Sequence, residues 1–204
     1  MIYFCVDFLA GLLYTISIKI LIPFMNIRMR IMEVEKILAF RMPRYNELPS
    51  IDLYIDQVLS YIESIFAPLE MSNIEKPLTA SMVNNYVKQG AVPATVKKRY
   101  SREHIAYLII VALAKQIFTI DEIIRMIKIQ KSVYDIETAY NYICEELEKI
   151  LVAVFTEQPL PRDSSRTLKT ERYFVRNTLI SIVYKIHTQK LMAIYDVDKA
   201  ETEE

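Results

Sequence analysis

Glycine is nearly missing from this chain, with only Gly11 and Gly90 among 204 residues. Phosphate-cradling loops need several glycines where the backbone approaches the ligand, so a P-loop or a G-x-G-x-x-G turn is excluded. Tryptophan is absent, and the two cysteines, Cys5 and Cys144, lie far apart with no C-x-x-C or Cys/His cluster. Neither a disulfide framework nor a zinc site is supported. The two histidines, His104 and His187, are too few for most metal or acid–base constellations. No nucleophile–base pair can be assembled, so no catalytic residue, cofactor or metal is expected and an enzyme is the least expected class. Net charge is missing as well, because 25 basic residues balance 25 acidic ones.

What is present is a surplus of Ile, Leu, Met, Lys and Glu, the composition of an all-α protein. Residues 2–24 are nearly all apolar, interrupted by Asp7 and Lys19 and followed by Arg28 and Arg30. About 20 apolar residues suffice to cross a bilayer. Three readings stay open: a start placed too early, with Met25, Met29 and Met32 as later ones; a membrane anchor; or a buried helix. An anchor flanked by Arg28 and Arg30 would keep the remainder in the cytoplasm, which is also where a shorter, soluble chain would work.

Beyond the Met42–Pro49 loop, apolar spacing predicts a helix from Ser50 to about Leu69. A short helix from Thr79 to about Gln89 is closed by Gly90, where a C-cap favours a left-handed residue. Ser101 is placed to cap a further helix containing the unbroken apolar run Ile105–Ala114. Thr119 and Glu122 form a capping box. From Tyr134 to Phe155 the residues Ile136, Tyr140, Ile143, Leu147, Ile150 and Val154 repeat in steps of four and three. That is the seam of a short coiled coil, or the inner face of a monomeric bundle. A last helix is expected from about Thr167 to Asp196, before a frayed acidic tail.

Function is best read from Lys76–Arg102, which holds six lysines and arginines and no acidic residue, leaving 19 basic against 25 acidic elsewhere. Charge gathered in this way is the footprint of a phosphate-backbone binder. On the short helix, Ser81, Asn84, Asn85 and Lys88 are expected to face outward, while Met82, Val83 and Tyr86 face inward. Asparagine pairs bidentately with adenine in the major groove. Lys88, Lys97, Lys98, Arg99 and Arg102 suit phosphates, as do the hydroxyls of Tyr86 and Tyr100 above rings packed below. The plainer alternative leaves the asparagines solvated and the tyrosines as core. A second basic series, Arg162, Arg166, Lys169, Arg172 and Arg176, either extends this footprint or pairs with Glu145, Glu146 and Glu148. Cys144 beside the heptad seam reads as a packing residue.

The order of short helix, glycine stop, basic loop, tyrosine and capped helix resembles the DNA-binding unit of the MerR family. The resemblance rests on Tyr86-Val87-Lys88-Gln89-Gly90-Ala91-Val92-Pro93, on Lys97-Lys98-Arg99-Tyr100-Ser101-Arg102-Glu103-His104, and on Phe118-Thr119-Ile120-Asp121-Glu122-Ile123. More narrowly, Met42–Tyr54 with Tyr86-Val87-Lys88 and Tyr100–Ile105 resembles a bacterial domain of unknown function, number 1836, over about Met42–Phe155. That family is regarded as MerR-like and regulatory. Two departures stand out: the helix before the short one is longer and more apolar than in MerR proteins, and Asn84 stands where a DNA-contacting arginine is common.

The resemblance implies a MerR-like winged helix-turn-helix followed by a helical bundle or short coiled coil. The expected divisions are residues 1–31 as an extension, 32–130 as the DNA-binding domain and 131–204 as a dimerisation or effector region. The expected function is a sequence-specific, double-stranded-DNA-binding transcription regulator, acting as a homodimer and open to a small-molecule effector. The alternatives are a helical protein-interaction adaptor without DNA binding and a membrane-tethered regulator.

Overall fold

The computed structural model describes residues 34–69, 76–162 and 170–202. They fall into two compact units, 1–39 and 40–204, and of the first the described part is a short helical stretch at 34–38. The apolar run 2–24 and all three readings of it lie outside the described residues. Among the described residues no helix is long and apolar enough to cross a membrane.

The second unit is helical, with no strand among its described residues. A 3-10 turn, Tyr45–Glu47, precedes α1 (Ile55–Phe66), which tightens into a second 3-10 turn, Ala67–Leu69. Then come α2 (Ala80–Lys88), α3 (Arg102–Ala114), α4 (Ile120–Val133), α5 (Ile136–Phe155) and α6 (Thr170–Thr202). Ser101 and Thr119 cap α3 and α4 as their positions predict, and Asp135 caps α5 by accepting from the Thr138 amide at 2.8 Å. The last helix continues through residues 197–202, past the point where fraying was expected; this segment keeps helix-forming Lys, Ala and Glu and holds no glycine or proline.

The unbroken apolar run makes α3 the central rod. Every residue from Ile105 to Ala114 except Ile110 is buried, so beyond its first turn α3 has no solvent face, and it packs against both α5 and α6. The heptad seam of α5 is spent inside the chain: Tyr140, Ile143, Leu147, Ile150 and Val154 are all buried. Of its two readings, the structure takes the inner face of a bundle, with α6 as the main partner.

Two polar fastenings tie distant segments to α5. Arg44 meets Glu148 bidentately, at 2.8 and 2.7 Å, and the Met42 amide donates to the same carboxylate at 2.9 Å. The Tyr45 amide donates to Asn141 Oδ1 at 2.9 Å. The phrase Met42-Pro43-Arg44-Tyr45 is thus a clamp laid across α5. The Glu148 carboxylate raises the Arg44 guanidinium further above its already high value. The second fastening is the wholly buried carboxylate of Glu146, which takes Arg176 from α6 and Lys149 Nζ at 3.2 Å, while Arg176 also donates to the Pro161 carbonyl. For Arg176, therefore, the basic series serves ion pairing. Arg166 and Lys169 lie outside the described residues, and Arg162 is exposed.

The first of these fastenings crosses the division read near residue 130, which falls inside α4. Residues 40–204 form one compact unit.

Candidate nucleic-acid interface

The site is built on α2 and the loop after it. Thr79 caps α2 through its hydroxyl, which accepts from the Met82 amide at 3.3 Å. Val83 and Tyr86 turn into the core, and Ser81, Asn84, Asn85 and Lys88 face solvent. The helix ends in a Schellman motif: the Ala91 amide reaches back to the Tyr86 carbonyl at 3.0 Å and the Gly90 amide to Val87 at 3.1 Å. Gly90 takes φ +77°. Buried Ala91 and Val92 then anchor the chain where it leaves α2.

From there the chain makes a hairpin of minimal size. Val96 and Arg99 bridge, the Arg99 amide donating to the Val96 carbonyl at 3.0 Å. Its two central residues, Lys97 and Lys98, stand at φ 51° and 58°. Positive φ at both positions is the signature of a type I′ turn, where asparagine and glycine are the usual occupants. Each L-residue in that region costs roughly 1–2 kcal/mol. Both side chains are exposed, and neither makes an ion pair with a described residue.

The base of the hairpin is fixed from three directions. Leu53 and Tyr100 exchange two backbone hydrogen bonds, both 2.9 Å, which joins the segment before α1 to the end of the loop. Arg99 lies over the Tyr54 ring at 4.7 Å and donates to its hydroxyl at 2.9 Å. His104 supplies the third tie: its Nδ1 accepts from the Ser101 amide at 3.2 Å while Nε2 lies 3.3 Å from the Ala94 carbonyl. A carbonyl only accepts, so this arrangement selects the Nε2–H tautomer. His104 therefore couples the loop to the first turn of α3.

The other expected site residues sit lower. Tyr86 and Tyr100 are 6% and 5% exposed, and burial raises both phenols above their ordinary value. Their rings are packed as expected, with Tyr100 edge-on to His104 at 5.9 Å. Arg102 is half-buried, donating to the Leu48 carbonyl at 3.2 Å beneath the Tyr45 ring, so it has partners within the chain. Tyr54 and Leu53 were not legible as site residues, since they act on Arg99 and Tyr100 some 45 positions away.

Elsewhere little chemistry gathers. Among the described residues no three His, Cys, Asp or Glu side chains group as a metal site requires. Cys144 is buried and its thiol is pushed up to about 12, chiefly by burial.

Residues 43–143 match the family model of a domain of unknown function, DUF1836, which supports the family resemblance carried by the same residues. Glu148, the partner of Arg44, lies just past the matched segment. No curated protein and no solved structure matches the chain.

Proposed function

We propose that the protein is a sequence-specific, double-stranded-DNA-binding transcription regulator of the MerR-like winged helix-turn-helix type. The observation that carries this reading is the Lys97–Lys98 tip. Two lysines are held in a backbone conformation that suits neither, and strain kept in this way is characteristic of sites where the exposed group matters more than its fit. In this reading α2 enters the major groove with Asn84 and Asn85 toward base edges. Lys88, Lys97, Lys98 and Arg99 meet phosphates, which orient the protein without reading sequence. Ser81 joins the outward face. Tyr86 and Tyr100 hold the platform beneath, where a phosphate would meet only a hydroxyl edge. Arg102 supports the hairpin from below while adding positive potential. A homodimer would set two α2 helices about 34–36 Å apart on a palindromic site.

The full chain is tested against the DNA upstream of its own gene, a genomic fragment library and scrambled DNA, across a salt series. Sequence-preferring binding with a steep salt slope is expected. Replacing Lys97 or Lys98 by alanine should lower that slope by about 0.9 for each phosphate no longer neutralised. No binding to any DNA at low salt refutes the proposal. It would promote the adaptor reading, which has one observation in its favour: Ile51 and Val96, near the same loop, are 71% and 73% exposed.

A further inference from the structure

Four helices leave a cavity of about 90 Å³ where α3, α4, α5 and α6 converge. Its walls are largely aliphatic, among them Leu113, Ile127, Ile143 and Leu179. The hydroxyls of Thr138 and Thr178, both on the lining, donate to Asp135 Oδ2 at 2.7 Å and to the Phe174 carbonyl at 2.9 Å. Against this apolar wall stands one unmet polar atom. Gln130 also lines the cavity, and its Oε1 is buried without a hydrogen-bond partner.

The orientation of that amide follows from chemistry. Gln130 Nε2 lies 2.8 Å from the Tyr134 carbonyl, which only accepts. Turning the amide over would set two acceptors face to face, so Nε2 stays on Tyr134 and Oε1 is left unpaired. A buried acceptor without a partner is costly, and folded proteins leave few of them.

We propose that this cavity is a binding site for a small, predominantly apolar molecule carrying one O–H or N–H donor. The donor pairs with Gln130 Oε1 and the apolar body lies among Leu113, Ile127, Ala139, Ile143 and Leu179. The space, which is partly open to solvent, is smaller than the ~150 Å³ cavity that accepts benzene. It therefore takes a short branched or ring fragment, and a larger body extends past Ile129 and Phe174, the large apolar members of the lining that are exposed. The site stands apart from the DNA-binding reading and holds whether or not the chain binds DNA.

Phenol and benzene are matched probes that differ by the donor alone. They are titrated into the full chain with labelled isoleucine methyls, since Ile110, Ile127, Ile129, Ile143 and Ile182 all line the cavity. Saturable shifts confined to those methyls are expected, with phenol binding about three- to tenfold more tightly, as one net hydrogen bond provides. In Gln130→Met that preference disappears while benzene binding persists. Ala139→Leu, which fills the space, abolishes both. The methyl spectra report whether each variant is folded, and Gln130→Leu replaces Gln130→Met if the latter is not. No saturable shift with either probe overturns the proposal. So does equal binding of the two by the unaltered chain, a preference that survives removal of the amide, or binding that survives the filled cavity.

Discussion

At the scale of single residues, Lys97 and Lys98 show how local stability is exchanged for an exposed charge. A glycine at Lys98 would remove the left-handed penalty of roughly 1–2 kcal/mol and return part of it through extra freedom in the unfolded chain. Lys98→Gly should therefore raise unfolding stability by up to about 1 kcal/mol in a urea titration while weakening DNA binding; a destabilised variant would mean the turn is not under strain. Tyr140 makes the converse case. Its hydroxyl is buried with no partner but the weakly bonding thiol of Cys144 beside it, and burial drives the phenol far above its ordinary value. Tyr140→Phe should be neutral or stabilising by about 1 kcal/mol, because it removes only an unmet desolvation cost. A loss of several kcal/mol in chemical denaturation would reveal a partner for that oxygen. Neither feature was legible beforehand. Lys-Lys is no turn signal, and a tyrosine at a seam position reads only as core.

Among the elements, helices and caps were largely readable because their causes are local. Thr119 and Glu122, Ser101, and Gly90 after Lys88 each act within a few residues of themselves, and each stands where its spacing placed it. The ties between elements were not readable. Glu146 sits on α5 among Ile143, Leu147 and Ile150; pairing with the basic series around Arg176 was one of two open readings, but nothing near it in sequence announces that it is wholly buried. Removing Arg176 leaves the buried Glu146 carboxylate with Lys149 alone, so Arg176→Ala should cost about 3 kcal/mol, the low end for a broken buried pair. Replacing both Glu146 and Arg176 by leucine should restore most of that stability. Thermal unfolding of the two variants decides the matter, since equal losses would show that the pair is not coupled. The cavity was equally invisible, because a missing volume belongs to no residue.

For the whole molecule, the pattern of a basic segment on an otherwise acidic chain was legible, and so was the outward face of α2. What the sequence left open was how the regions join. The clamp from Arg44 to Glu148 and the antiparallel pairing of Leu53 with Tyr100 make one body of segments that read as separate. The expectation that belongs at this scale is homodimerisation, checked by sedimentation equilibrium of the full chain. With the α5 seam committed to the interior, Leu147→Asp should unfold the protein instead of separating a dimer. A folded monomer from that variant would return the seam to the surface.

The central helix has a mechanical consequence. Thirteen residues at about 1.5 Å each make a rod of roughly 20 Å. One end carries Ser101, Arg102 and His104 under the hairpin, and the other carries Ile110, Leu113 and Ala114 on the cavity wall. Walled in along its length, such a rod has little room to bend, so a displacement at one end is handed on as a push at the other. Any influence that a guest in the cavity has on the hairpin's affinity must be returned in equal measure, because linkage makes such a coupling reciprocal.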